Sequence, residues 1–189
     1  LGASQASCGI VARKGNTIAI HENVIRHALR HWHVNLILMP GRAVAGEVVN
    51  GEGAKITGAW LVPVSRDGDE VNRGLSAALV ERSGDDGRFR WQTLLPQNWN
   101  VNVYADGYAP LLGETIEAGK EDLVFVLSQG QRIEGQILSA KTGDAIASLR
   151  VLVRNVEGVG EIFRTKADEN GRFAFDRMAP GNYKLELDD

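Results

Sequence analysis

The chain of 189 residues has a single cysteine, Cys8, so no internal disulfide can form. It has two methionines, and aromatic residues make up only 6% of it. Any core must therefore be small and keyed by a few rings. No run approaches the ~18 consecutive apolar residues of a membrane-crossing helix, so we expect no membrane-spanning segment. Neither sign of charge dominates: 21 Lys and Arg stand against 24 Asp and Glu, for a net charge of −3. Without a long basic run, a surface that tracks phosphates is not expected, and nucleic acid is not an expected partner.

Glycine, by contrast, is plentiful at 22 residues, and 43% of the chain is apolar, enough for a packed core. The glycines fall within a repeat. Gly41-Arg-Ala-Val-Ala-Gly46 recurs as Gly130-Gln-Arg-Ile-Glu-Gly135, and Asp86-Gly87-Arg88-Phe89-Arg90-Trp91 recurs as Asn170-Gly171-Arg172-Phe173-Ala174-Phe175. Leu95-Pro96-Gln97-Asn98-Trp99 recurs as Ala179-Pro180-Gly181-Asn182-Tyr183. Short alternating runs separated by Gly-rich turns read as tandem β-sandwich modules.

The first copy reads as strands at 34–39, 43–49, 56–64, 75–82, from Phe89 through Trp91, 99–104 and 123–127. The second reads as strands at 131–138, 147–154, 161–166, 172–176 and 183–187. Strands every 8 to 12 residues without a long helix between them argue for antiparallel pairing. One segment differs. Val24, Ile25, Ala28, Leu29 and Trp32 fall on one helical stripe, and Asn23 is placed to cap it, which predicts a short helix over about 23–32. Phe89, Trp91, Phe173 and Phe175 are expected core keys, with Trp60 and Leu185 also inside. Gly87 and Gly171 are expected to supply positive φ, and Gly46 and Gly135 to leave room for a backbone or ring crossing the sheet.

The framework Gly-x-Val-x-Gly-x-Val, then Asp-x-x-Gly-Arg-Phe, then Pro-Gly-x-Tyr-x-Leu resembles the carboxypeptidase regulatory-like domain. Thr165-Lys-Ala-Asp168-Glu-Asn-Gly171-Arg-Phe173 and Pro180-Gly-Asn-Tyr183-Lys-Leu185 match it most closely; in the first copy Gln97 replaces the glycine. The resemblance implies an all-β chain of tandem antiparallel sandwiches of transthyretin-like (prealbumin-like) type. One module would span 41–128 and a second 130–189, the latter lacking its last strand. Val11-Ala-Arg-Lys-Gly15-Asn aligns with Val103-Tyr-Ala-Asp-Gly107-Tyr, and Leu36 to Gly41 with Phe125 to Gly130. Residues 1–40 are therefore expected to be closing strands of an earlier repeat, in a chain that was processed or belongs to something longer. The family implies an accessory of an exported, cell-surface or periplasmic protein, with no peptidase chemistry.

The candidate sites are few. His27, His31 and His33 are metal-ligand candidates, but a third ligand beyond Glu22 is wanting, and no metal and no cofactor are expected. The turns at Asp85-Asp86-Gly87 and Asp168-Glu-Asn-Gly171 lack the spacing of a calcium loop. Cys8 has no base beside it, and no serine sits in a nucleophile elbow, so catalysis is not expected. A Lys–Asn isopeptide, as in collagen-adhesin B-type repeats, is not expected either, because 43–49 and 131–138 contain no Lys. Val34, Leu36 and Leu38 could form a strand given to a partner. Trp60, Trp99, Tyr104 and Tyr108 could form an aromatic binding surface. The function expected is a non-enzymatic scaffold that docks on protein partners or on neighbouring copies of itself. The alternative is a carbohydrate-binding accessory module.

Overall fold

The computed structural model describes residues 7–25, 33–64, 78–156 and 162–188. All fifteen described elements are strands, and they fall into two compact units. The first unit comprises 1–106 with 111–127, and the second 107–110 with 128–189.

The first unit opens with a hairpin of β1 (Ser7–Lys14) and β2 (Thr17–Ile25), turning at Gly15 with φ +57. A two-residue strand, β3 (Met39–Pro40), adds to β2. Its main body is two sheets. One orders β10 (Leu123–Leu127), β4 (Arg42–Asn50) and β7 (Arg88–Leu94). The other orders β6 (Glu81–Arg82), β5 (Trp60–Val64), β8 (Asn98–Tyr104) and β9 (Leu111–Glu117). Alternation fixes the inner faces. In Arg-Phe-Arg-Trp-Gln-Thr-Leu the apolar residues are buried and the polar ones between them, apart from Thr93, are exposed. Val44, Val48, Phe89, Trp91 and Phe125 are buried on the first sheet, and Leu61, Trp99, Val101, Val103 and Ile116 on the second. Each such burial stabilises the fold by roughly 1.5–3 kcal/mol. Trp91 keeps its indole N–H satisfied by donating to the Leu79 carbonyl at 2.7 Å.

The second unit is a smaller sandwich of the same plan. A two-stranded sheet of β11 (Gln131–Gln136) and β14 (Arg172–Met178) packs on a three-stranded one. That sheet orders β13 (Ile162–Lys166), β12 (Arg150–Asn155) and β15 (Tyr183–Asp188). Ile137, Val151, Val153, Phe175 and Met178 form its core.

The repeat in sequence is a repeat in hydrogen bonds. Val48 donates its N–H to the Gly87 carbonyl at 2.8 Å, and Ile137 donates to Gly171 at 2.8 Å. Both of these glycines have positive φ, +73 and +71. Trp99 Nε1 reaches back to the Leu95 carbonyl at 3.1 Å, and the Tyr183 hydroxyl reaches back to the Ala179 carbonyl at 2.7 Å. Corresponding rings thus pin corresponding corners, one through an indole N–H and the other through a phenol O–H. A further pair of contacts involves residues before Arg42. The Gly41 N–H donates to Asn16 at 2.8 Å and the Gly130 N–H to Gly107 at 2.9 Å, acceptors one residue apart in the aligned turns. Thr17 pairs with Pro40 and Tyr108 with Gln129, again offset by one residue on the turn side.

Several sequence expectations are corrected. Residues 23–25 of the predicted helix belong to β2, where Val24 pairs with Cys8 and Ile25 with Ser7. Two β-branched residues beside a ready antiparallel partner favour extension; residues 26–32 lie outside the described ones. Of the strand expected over 75–82, residues 75–77 lie outside the described ones, Ala78 and Leu79 are helical, and Glu81–Arg82 is a strand. Residues 33–38 are not a strand, and Met39–Pro40 alone pairs. Pairing is not wholly antiparallel, since β10 runs parallel to β4 with Phe125 beside Val48. Trp60 and Leu185 are 45% and 46% exposed, not core.

Candidate functional site

Two surfaces stand out, one in each unit. The first lies on the outer face of the sheet β6-β5-β8-β9. Register places Arg82, Trp60 and Tyr104 in one row across three strands. The Arg82 guanidinium carbon sits 3.6 Å from the centroid of the Trp60 ring, a cation–π contact. Beside this row, Asn102 Nδ2 donates to the Tyr104 hydroxyl at 3.1 Å, and Asn102 Oδ1 accepts from the Gly113 N–H at 2.8 Å. One step further, the Thr115 hydroxyl donates to Asn100 Oδ1 at 3.0 Å. The face combines rings with side-chain amides whose orientation is fixed by neighbours.

The four aromatic candidates do not gather there. Trp60 and Tyr104 share the row. Trp99 is buried on the inner face, and Tyr108 is half-buried in the second unit, paired with Gln129. Of the histidines, His27 and His31 lie outside the described residues. His33 is exposed, with Nε2 3.1 Å from Asn35 Oδ1. Among the described residues, no three His, Cys, Asp or Glu are grouped to hold a metal ion. A groove of about 720 Å³ crosses the outer side of β4, β7 and β10. Its charges are of both signs, and Arg90 pairs with Glu121 within it at 2.9 Å.

The second surface is the open side of the second unit. Leu185 and Leu187 pair across β12 and β15 with Val153 and Val151, so they share the core-facing side of the sheet. Yet Leu185 and Leu187 are 46% and 57% exposed, while their counterparts Val101 and Val103 are at 0%. The difference lies in what covers them. In the first unit β9 pairs with β8 and β10 pairs with β4. Among the described residues the second unit has no counterpart of either strand, and β11 is paired on one side only. Phe89 stacks on Phe125 of β10 at 5.5 Å, whereas among the described residues the ring contact of Phe173 is with Phe175, edge-on at 6.1 Å.

Val34, Leu36 and Leu38 keep the spacing of Leu123, Phe125 and Leu127 ahead of their glycine, but they are in no ladder among the described residues. Val34 and Leu36 are half-buried, and Ile37 is 79% exposed. Sequence reasoning missed β9, because Leu-Leu-Gly-Glu-Thr-Ile-Glu carries little alternation.

No family model matches the chain, and no curated protein matches it. Among solved structures, a streptococcal ancillary pilin is similar at 14% identity and a TM-score of 0.37, over 90% of this chain and 66% of that one. The TIE protein of Bacillus anthracis is similar at 14% identity and 0.35, over 95% of this chain and 35% of that one. The shaft pilin SpaA of Lactobacillus rhamnosus GG gives 12% identity and 0.32, over 79% and 88%. The chain thus spans about two thirds of the first and about a third of the second. Likenesses this distant transfer no activity and no partner.

Proposed function

We propose that this chain is a non-enzymatic structural segment of tandem carboxypeptidase regulatory-like, transthyretin-like modules. It acts at the cell surface or outside the cell and builds assemblies through its sheet edges and apolar faces. The observation that carries this reading is the hydrogen-bond skeleton shared by the two sandwiches, in which Gly87 and Gly171 accept from Val48 and Ile137 and Trp99 and Tyr183 pin the same corner. Exposed apolar side chains on its strands, among them Val124, Val126 and Leu185, offer faces for such contacts. Light scattering across a range of concentrations tests the reading, with mass expected to rise with concentration. A strictly constant monomer mass would count against it.

A second reading is favoured by one specific feature, the row of Arg82, Trp60 and Tyr104 beside fixed amides. Rings with adjacent amide groups suit the apolar face and hydroxyls of a sugar, so this surface suits a carbohydrate-binding accessory role. Quenching of Trp fluorescence by soluble glycans, lost in Trp60→Ala, is its expected signature.

A further inference from the structure

The outer face of the three-stranded sheet in the second unit is cationic. Strand pairing sets rows across β13, β12 and β15. Lys166, Arg150 and Asp188 form the first row, and Arg164, Leu152 and Glu186 the second. Ile162, Arg154 and Lys184 form the third. Alternation sends Val151 and Val153 into the core, so Arg150 and Arg154 take the solvent side. Arg164, Lys166 and Lys184 are exposed with them. Five cations thus share these rows with two acids, in a chain whose net charge is −3. The fold does not require this. At the matching positions of the first unit Trp60 stands for Arg150, Val64 for Arg154 and Asn100 for Lys184. Register even works against the charges, since Arg150 stands opposite Lys166 and Arg154 opposite Lys184. Like charges so placed oppose strand pairing. Glu186 offsets the second pair by accepting from Arg154 and Lys184.

We propose that this face binds a linear polysaccharide carrying a carboxylate on each sugar. Adjacent strands lie about 4.8 Å apart, and same-face neighbours along a strand about 7 Å. Both spacings fall inside the ~8 Å screening length of physiological salt, so the cations act as one field. Closely set cations favour a ligand whose own charges are closely set. The guanidinium forks of Arg150, Arg154 and Arg164 suit carboxylates, which they can grip through two parallel bonds. An open sheet face suits an extended polymer lying across the rows. None of its residues is aromatic, so single-stranded nucleic acid finds no ring on which to stack its bases. Bound carboxylates would also relieve the opposed Arg150 and Lys166. The face is distinct from the Trp60 row of the first unit and depends on neither reading above.

Affinity electrophoresis of the full chain in native gels holding polygalacturonate tests this, with neutral dextran as the blank. Retardation by polygalacturonate is expected at low salt and should fade as sodium chloride is raised. Arg164→Glu with Lys166→Glu should weaken the apparent affinity about tenfold or more. Lys14→Glu with Lys120→Glu, at two exposed positions of the first unit, changes the net charge equally and should leave the affinity nearly unchanged. Arg164→Gln with Lys166→Gln removes charge without reversing it and should fall between the two. Thermal melts of each variant show that it is folded. No retardation of the unsubstituted chain at low salt overturns the proposal. Equal losses from the two reversed pairs overturn it too, because net charge and not this face would then govern binding. So does tighter binding of an oligothymidylate than of polygalacturonate, which would make the face a nucleic-acid surface.

Discussion

Gly46 lies against the backbone of Leu123: a Cβ built on the glycine would stand 2.2 Å from the Leu123 carbonyl oxygen. Its counterpart Gly135 faces no such strand, and a Cβ there would meet the tip of the Phe173 ring at 2.6 Å. The same glycine thus admits a backbone in one unit and a ring in the other. Backbone cannot step aside without breaking its ladder, but a half-buried ring can turn. Gly46→Ala is expected to cost about 1–3 kcal/mol, as for overpacking a tight site. Gly135→Ala should cost clearly less. Paired denaturant titrations check the order; equal losses would mean that β10 is not held at this place.

The two leading phenylalanines should also part company. Phe89 is buried between Trp91, edge-on at 5.4 Å, and Phe125, stacked at 5.5 Å. Phe89→Ala is expected to cost about 3–5 kcal/mol. Phe173→Ala, at a half-buried ring with one aromatic neighbour, should cost less in a dilute monomer. Thermal melts of the two variants at matched low concentration decide this.

How far the sequence reached is visible in these same residues. Phe89 and Trp91, flanked by arginines after Asp-Gly, announce a strand with one buried face. The Phe173 and Phe175 pair repeats it. Parallel pairing of β10 with β4 was not legible, because the five apolar residues from Leu123 to Leu127 do not say which way the neighbour runs. The helical stripe around Val24 was a coincidence of spacing that a hairpin partner overrode. Trp60 was placed inside because it alternates with Ile56 and Gly58, but the strand begins only at Trp60 and the chain before it turns. As for the candidate surface, residue identity pointed to rings. Only register separates Trp60 and Tyr104 from Trp99.

The Trp60 row yields a third prediction. Arg82 lies over an exposed ring, where such contacts contribute about 0.5–1 kcal/mol. Arg82→Ala should destabilise the first unit by no more than that and shift the fluorescence maximum of Trp60 to the red as water reaches the ring. An unchanged spectrum would mean the guanidinium does not rest there in solution.

A fourth concerns acid. Glu186 on β15 accepts hydrogen bonds from Arg154 and Lys184, and those bonds, the former first, hold its carboxyl below the usual carboxylate range. The unfolded chain therefore takes up a proton at higher pH than the folded one. The contribution is present above the ordinary Glu range and is lost as pH falls through the lowered value. The group is solvent-exposed, so the effect is small. Glu186→Gln should flatten this part of the acid-side decline in melting temperature and leave neutral-pH behaviour nearly unchanged.

The parallel placement of β10 against β4 also has a mechanical consequence. The first sandwich is entered at Arg42, the start of β4, and its last strand ends at Leu127. Because the two strands run the same way, these points lie at opposite ends of one ladder. Tension applied along the chain between them loads the ladder bonds together, in shear, instead of opening them one after another. A sandwich closed this way resists being drawn out lengthwise, and its lifetime under load is set by how slowly that ladder slips.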